Sequence, residues 1–196
     1  MKFIRTIFFV VVIGMMCSCK HQNLKCDKPY FDFDSLANVQ VKKLNEAKET
    51  VSKKTFLNNE NDSTAFIPNE EQWKNELNEL VQLDIINKPS FKGAYHFADT
   101  KDEHSNLQVR TYSTTKKSPV AWVKFYFLND FKNLKKIESI YHEENTMVSS
   151  QKKLLVDFDD SLQIKHYHIQ GFQKMILNDS VKFSVDGKIQ HNAEKK

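Results

Sequence analysis

The sequence predicts an α+β domain: one or two N-terminal helices packed on an antiparallel β-meander of five to seven strands, flat or curved. Three observations carry this. Apolar residues upstream of Pro89 follow helical spacing. From Phe91 onward, short runs rich in aromatic and β-branched residues alternate with turn signals. No long helical segment separates those runs, which favours hairpins over parallel crossovers.

Taken in order, residues 20–34 show no steady period and read as a tether of up to about 50 Å when extended. Asp34 or Ser35 can cap a first helix from Leu36 to about Lys53, with Ala37, Val41, Leu44 and Val51 near one face. Leu57 to Pro68 is polar and reads as a connector. Asn69 then caps a second helix. Glu70 and Glu71 suit its positive end, and Trp73, Leu77, Leu80, Val81 and Asp84 keep helical spacing before Pro89 stops it. Trp73 reads as a core anchor.

The predicted strands are Gly93–Ala98, Leu107–Ser113, Val120–Leu128, Leu134–Glu143, Met147–Phe158, Leu162–Phe172 and Val181–Val185. Lys116 to Pro119, Asn129-Asp130, Asp159 to Ser161, Asn178 to Ser180 and Asp186-Gly187 supply the turns. Val120–Leu128 is apolar on both faces. Either helices cover one face and a second layer the other, or the sheet curves around an apolar cavity, with Trp122, Phe125 and Phe127 as its lining.

The N-terminus addresses the chain to a membrane. Lys2 and Arg5 precede an apolar run from Thr6 to Met16, whose 11 residues reach about 16 Å as a helix, half of a bilayer core of about 30 Å. That is a cleaved secretory signal and not a span. Met16-Cys17-Ser18-Cys19 resembles the lipobox of bacterial lipoproteins, with a small residue directly before Cys19 and a bulky one before Cys17. The chain thus resembles small lipoproteins of Gram-negative bacteria, over residues 1–20. The resemblance implies cleavage after residue 18, a diacylglyceryl thioether and an acylated amine on Cys19, and stable anchoring by several acyl chains. Lys20, standing where Asp would retain the protein at the inner membrane, implies sorting to the outer membrane. The expected organisation is a signal peptide over 1–18, an anchor and tether over 19–34, one domain over 35–190 and a tail over 191–196.

Composition excludes several functions. The chain is formally +4, and Lys2 and Arg5 account for two of these charges, leaving the mature part at +2. Its sole arginine is Arg110, whereas phosphate and base recognition favour arginine's planar fork. Nucleic acid is therefore not an expected partner. Cys26 is left without a mate, so no disulfide framework supports the fold. The paired lysines along the chain read as solubility and edge protection.

Candidate chemistry is sparse. His166 and His168 are the metal candidates, because residues two apart on a strand share a face, and His142, with Glu143 and Glu144, lies at the end of a nearby predicted strand. A solvated polar face is the competing reading. Asp159-Asp160 and Glu143-Glu144 sit in turns, where neighbours do not face each other as glycosidase carboxylates must. No nucleophile elbow, phosphate loop or zinc-binding helix motif occurs. The expected function is a non-enzymatic binding module with no cofactor, meeting the membrane through its lipid and an envelope protein or glycan through its sheet. A carrier of an apolar ligand and a metal-binding domain are the alternatives.

Overall fold

The computed structural model describes residues 28–176 and 179–190. The signal, Cys17, Cys19, Cys26 and the tail 191–196 lie outside the described residues. The α+β expectation holds, but the sheet is larger than expected: nine antiparallel strands in the order β2-β1-β9-β8-β7-β6-β5-β4-β3, not closed.

Seven of these strands are the meander read from the sequence: β3 His96–Lys101, β4 Gln108–Ser113, β5 Val120–Phe127, β6 Leu134–Glu144, β7 Val148–Phe158, β8 Ile164–Met175 and β9 Val181–Gln190. The other two form a hairpin, β1 Thr50–Leu57 and β2 Glu60–Phe66, that adds to β9. The predicted first helix and connector are corrected here. The helix, α1, spans Phe33–Glu46. It stops because Lys48 takes the left-handed conformation at φ 51°. Val51, in phase with the helical face, is instead a buried residue of β1. The connector is an edge strand, exposed along nearly its whole length.

The cap of α1 is Asp32, whose carboxylate accepts the Ser35 N–H at 2.9 Å. Asn69 and Gln72 form a reciprocal capping box at 2.9 Å each way and start α2, Glu70–Glu76. The chain bends at Leu77 into a short α3, Asn78–Gln82, and then two 3₁₀ turns, Leu83–Asn87 and Pro89–Phe91. The periodic face read from the sequence points inward, with Trp73, Leu77 and Leu80 buried. Phe33, Leu44 and Trp73 from the helices meet Phe125, Ile137, Val156 and Tyr167 from the sheet in one core. The fold is thus two layers, helices on one sheet face, with the other face open.

The expected tether also needs correction. Tyr30, Phe31 and Phe33 belong to the domain body. Phe31 stands 4.7 Å from the Phe125 ring centroid and 4.9 Å from Phe33, and the Tyr30 hydroxyl donates to the Phe91 carbonyl at 3.1 Å. Asp186-Gly187, expected as a turn, lies within β9, where Gly187 pairs with Lys53 and with Tyr167.

Candidate interaction surface

The alternation of β5 sorts its apolar residues onto two unrelated environments. Val123, Phe125 and Phe127 face the helices and are buried. Phe125 is packed by Phe31, Phe33, Tyr112 and Phe131. Trp122 faces the open side with Tyr126. There Lys124 lies 5.0 Å from the Trp122 ring and Lys136 lies 3.9 Å from that of Tyr126, so lysine stems cover the aromatic surface. The expected pocket of Trp122, Phe125 and Phe127 is therefore not formed: the sheet separates its members. Neither option weighed for this strand is met in full. Helices cover one face, and single side chains cover the other.

His166 and His168 do share a face, as strand periodicity requires. Their cross-strand partners are acidic: Asp157 opposite His166 and Asp186 opposite His168. His166 is held on both ring nitrogens, by Asp157 at 2.9 Å and Asp186 at 3.0 Å, and Asp186 is also 3.4 Å from His168 Nδ1. Burial works against the imidazolium, but the bonds to Asp186 and Asp157 prevail and raise the His166 pKa. An imidazole that donates on both sides has no lone pair for a metal. His142 cannot help: it lies six residues along β6 from Lys136, the register partner of Asp157, or about 20 Å. This cluster is an ion-pair lattice. A separate group on the same face centres on Glu138, which takes Lys153 at 2.6 Å and the Tyr126 hydroxyl at 2.9 Å. Burial tends to raise the Glu138 carboxyl, and those two partners hold it below its usual value.

A second acidic group was not read from the sequence. Asp32, Asp34 and Asp84 converge on the helical side, but Lys28 sits among them at 2.6, 2.6 and 3.1 Å. Asp84 also accepts the Phe33 N–H and an Asn87 amide proton. The ammonium occupies the place a cation would take, and the cluster fixes the chain to the helix layer. Arg110 is similarly engaged: it forks onto Asp99 at 2.8 and 2.7 Å with its guanidinium over Phe97 and Phe131.

What remains available is apolar and lies at one end of the sheet. Among the described residues ten large apolar side chains are exposed, and seven of them cluster on three hairpin tips. Phe56 and Leu57 come from β1, Met147 from the β6–β7 turn, Phe172 and Met175 from β8, Ile176 from the turn after it, and Val181 from β9. The tips are tied together. Ile176 N–H donates to the Met147 carbonyl at 3.1 Å, and Asn58 N–H to that of Lys182 at 2.8 Å. Two of the seven, Phe56 and Phe172, turn to the open face, where they wall a groove floored by Gln151, Lys153, Gln170 and Ser184. The other five stand along the crest. No sequence signal set these residues apart, because an apolar residue in a strand reads equally as core.

No protein-family model, curated protein or solved structure matches this chain.

Proposed function

We propose that this chain is a lipoprotein of the bacterial envelope, held at the outer membrane through Cys19, whose domain is a non-enzymatic binding module. The observation that carries the reading is the groove on the open sheet face. An open antiparallel sheet face is ordinarily polar, yet two half-exposed phenylalanines flank a floor of amides, a lysine and a hydroxyl. Flat apolar walls with amide donors and acceptors between them suit a glycan or an extended polypeptide, whose apolar and hydrogen-bonding groups alternate in the same way. The acyl chains would hold the groove close to other envelope components and raise their effective concentration.

Two experiments test the two halves of this reading. Cys19→Ala should move the protein from the membrane to the soluble fraction and abolish its lipid-dependent shift in electrophoretic mobility. A photo-crosslinking residue in place of Gln170, in the intact host, should give a discrete protein or glycan adduct that disappears with Phe172→Ala. A uniform smear, unchanged by that substitution, would refute the groove as a binding surface.

A further inference from the structure

We infer that the crest of the hairpin tips rests in the headgroup layer of the bilayer that carries the anchor, so that the domain stands on the membrane by one end of its sheet. The inference rests on the lipid-anchor reading above and adds a second, non-covalent contact to it. Met147 and Ile176 are 66% and 63% exposed and Leu57 is 51% exposed, all at turns or strand ends. Side chains at the crest of tips form a convex apolar edge, which suits penetration of a soft surface better than complementarity to a rigid one.

The backbone of the β6–β7 tip supports the same occupant. Entry into a low-dielectric layer is costly for any unpaired N–H or C=O. In the β6–β7 turn, the Asn145 side chain accepts the Met147 and Val148 N–H groups at 2.9 and 2.8 Å. Asn145 N–H donates to the Val148 carbonyl at 2.9 Å, and the Met147 carbonyl takes Ile176 N–H. Three N–H groups and two carbonyls of the tip are thus paired within the protein, which lowers the cost of bringing it into the headgroup layer.

The position of the anchor agrees. Lys28 is bound to Asp84, and Asp84 lines one cleft with Tyr141. Tyr141 lies in the same cross-strand row as Leu57, through Lys152, Gly171 and Phe183. The chain thus joins the body toward the end of the sheet that carries the crest. Lys28 lies nine positions after Cys19, a reach of about 30 Å at most. Acidic Glu60, Glu143, Glu144 and Asp179 outnumber basic Lys174 and Lys182 around the crest, so the attraction is apolar and does not depend on anionic lipid.

The test uses the full lipidated protein, carrying Cys26→Ser, purified from host membranes and reconstituted in phosphatidylcholine vesicles. An environment-sensitive fluorophore is placed at Met147→Cys, at Ile176→Cys, or at Asp160→Cys in the β7–β8 turn at the opposite end. Flotation with the vesicles reports the anchor. The fluorophore reports the crest. We expect flotation of all three proteins. Lipid-borne quencher should act at least threefold more strongly at positions 147 and 176 than at 160, and 0.5 M salt should leave that ratio unchanged. Flotation with equal quenching at the three positions overturns the inference and leaves the anchor standing. Protection at position 147 that appears only when envelope protein is added also overturns it, in favour of a protein partner. Failure to float overturns both.

Discussion

The ring of Tyr167 lies against Gly187, its direct partner across β8 and β9, and occupies the space where a Cβ would stand. The Tyr167 hydroxyl passes on to donate to Glu76 of α2, and Glu76 takes Lys53 at 2.6 Å from β1. One missing side chain thus lets a tyrosine lie flat and tie two strands to the helix layer. The pattern recurs four residues along β8, where a Cβ on Gly171 would lie 3.0 Å from the Phe183 ring and overlap the Gln151 carbonyl. Gly187→Ala is accordingly expected to destabilise the fold by about 1–3 kcal/mol, the usual cost of overpacking. Tyr167→Phe keeps the ring and should cost about 1 kcal/mol for the lost hydrogen bond. Urea denaturation checks both, and a Gly187→Ala variant as stable as the parent would contradict this account.

Gln40 is fully buried in α1 and acts as a backbone surrogate. Its amide donates to the Leu162 carbonyl at 2.8 Å and its oxygen accepts Ile164 N–H at 2.9 Å. Leu162 is left-handed at φ 57°, so the β7–β8 turn cannot satisfy these groups through a regular ladder. Gln40→Leu has nearly the same volume and leaves both groups unpaired, at a cost of about 1–3 kcal/mol. Amide hydrogen exchange at Ile164 should accelerate in step with the loss of stability.

Lys28 neutralises three carboxylates, and its own pKa is raised: partial burial pulls it down, but the bonds to Asp32, Asp34 and Asp84 outweigh that. Lys28→Ala should cost about 1–3 kcal/mol, as for lost hydrogen bonds between charged groups. It also leaves three carboxylate oxygens within 4.8 Å of one another. Millimolar Ca²⁺ should therefore raise the melting temperature of this variant and leave the parent unchanged. A variant indifferent to Ca²⁺ would show that the carboxylates swing apart once the ammonium is gone.

The His166 cluster gives a pH dependence with a definite sign. Because the folded pKa of His166 lies above its ordinary 6.5, its contribution is complete below about pH 6.5 and is lost as pH rises through the raised value. Asp186 is the reverse case. Burial works upward on it, but the His166 bond keeps its pKa below 3.8, so its contribution is present above that value and is lost as pH falls through the depressed one. His166→Gln should therefore cost most near pH 5.5 and little near pH 9, measured by chemical denaturation at each pH. An equal cost at both would count against a charged imidazolium in the folded protein.

The seven-strand meander was legible because its strands are rich in aromatic and β-branched residues and are bounded by turn formers such as Asn129, which is left-handed at φ 60°. The first hairpin was not. Strand β2 reads Glu-Asn-Asp-Ser-Thr-Ala-Phe, and an edge strand wet on both faces carries no apolar period to detect. Val51 disguised β1 by falling in phase with the preceding helix. Asp186-Gly187 resembled a turn because glycine serves two purposes, positive φ and close approach, and here the second applies. Trp122 and Phe125 were both legible as apolar, but which faced helices and which faced lysines depended on layers the sequence does not mark. The exposed crest escaped for the same reason: Met147 and Ile176 have the composition of a core and only the fold places them outside one.

The union of Lys28 with Asp84, beside the insertion of Phe31 and Phe33 under the sheet, bears on how the molecule would carry load. A pull along the tether reaches three ion pairs and an aromatic plug before any hydrogen bond between strands. The first strand joins the sheet only after α1 has crossed the core. Under the proposed anchoring, a load on the body would thus be resisted first by helix packing, and the ladder of β1 would be spared from being unzipped one pair at a time.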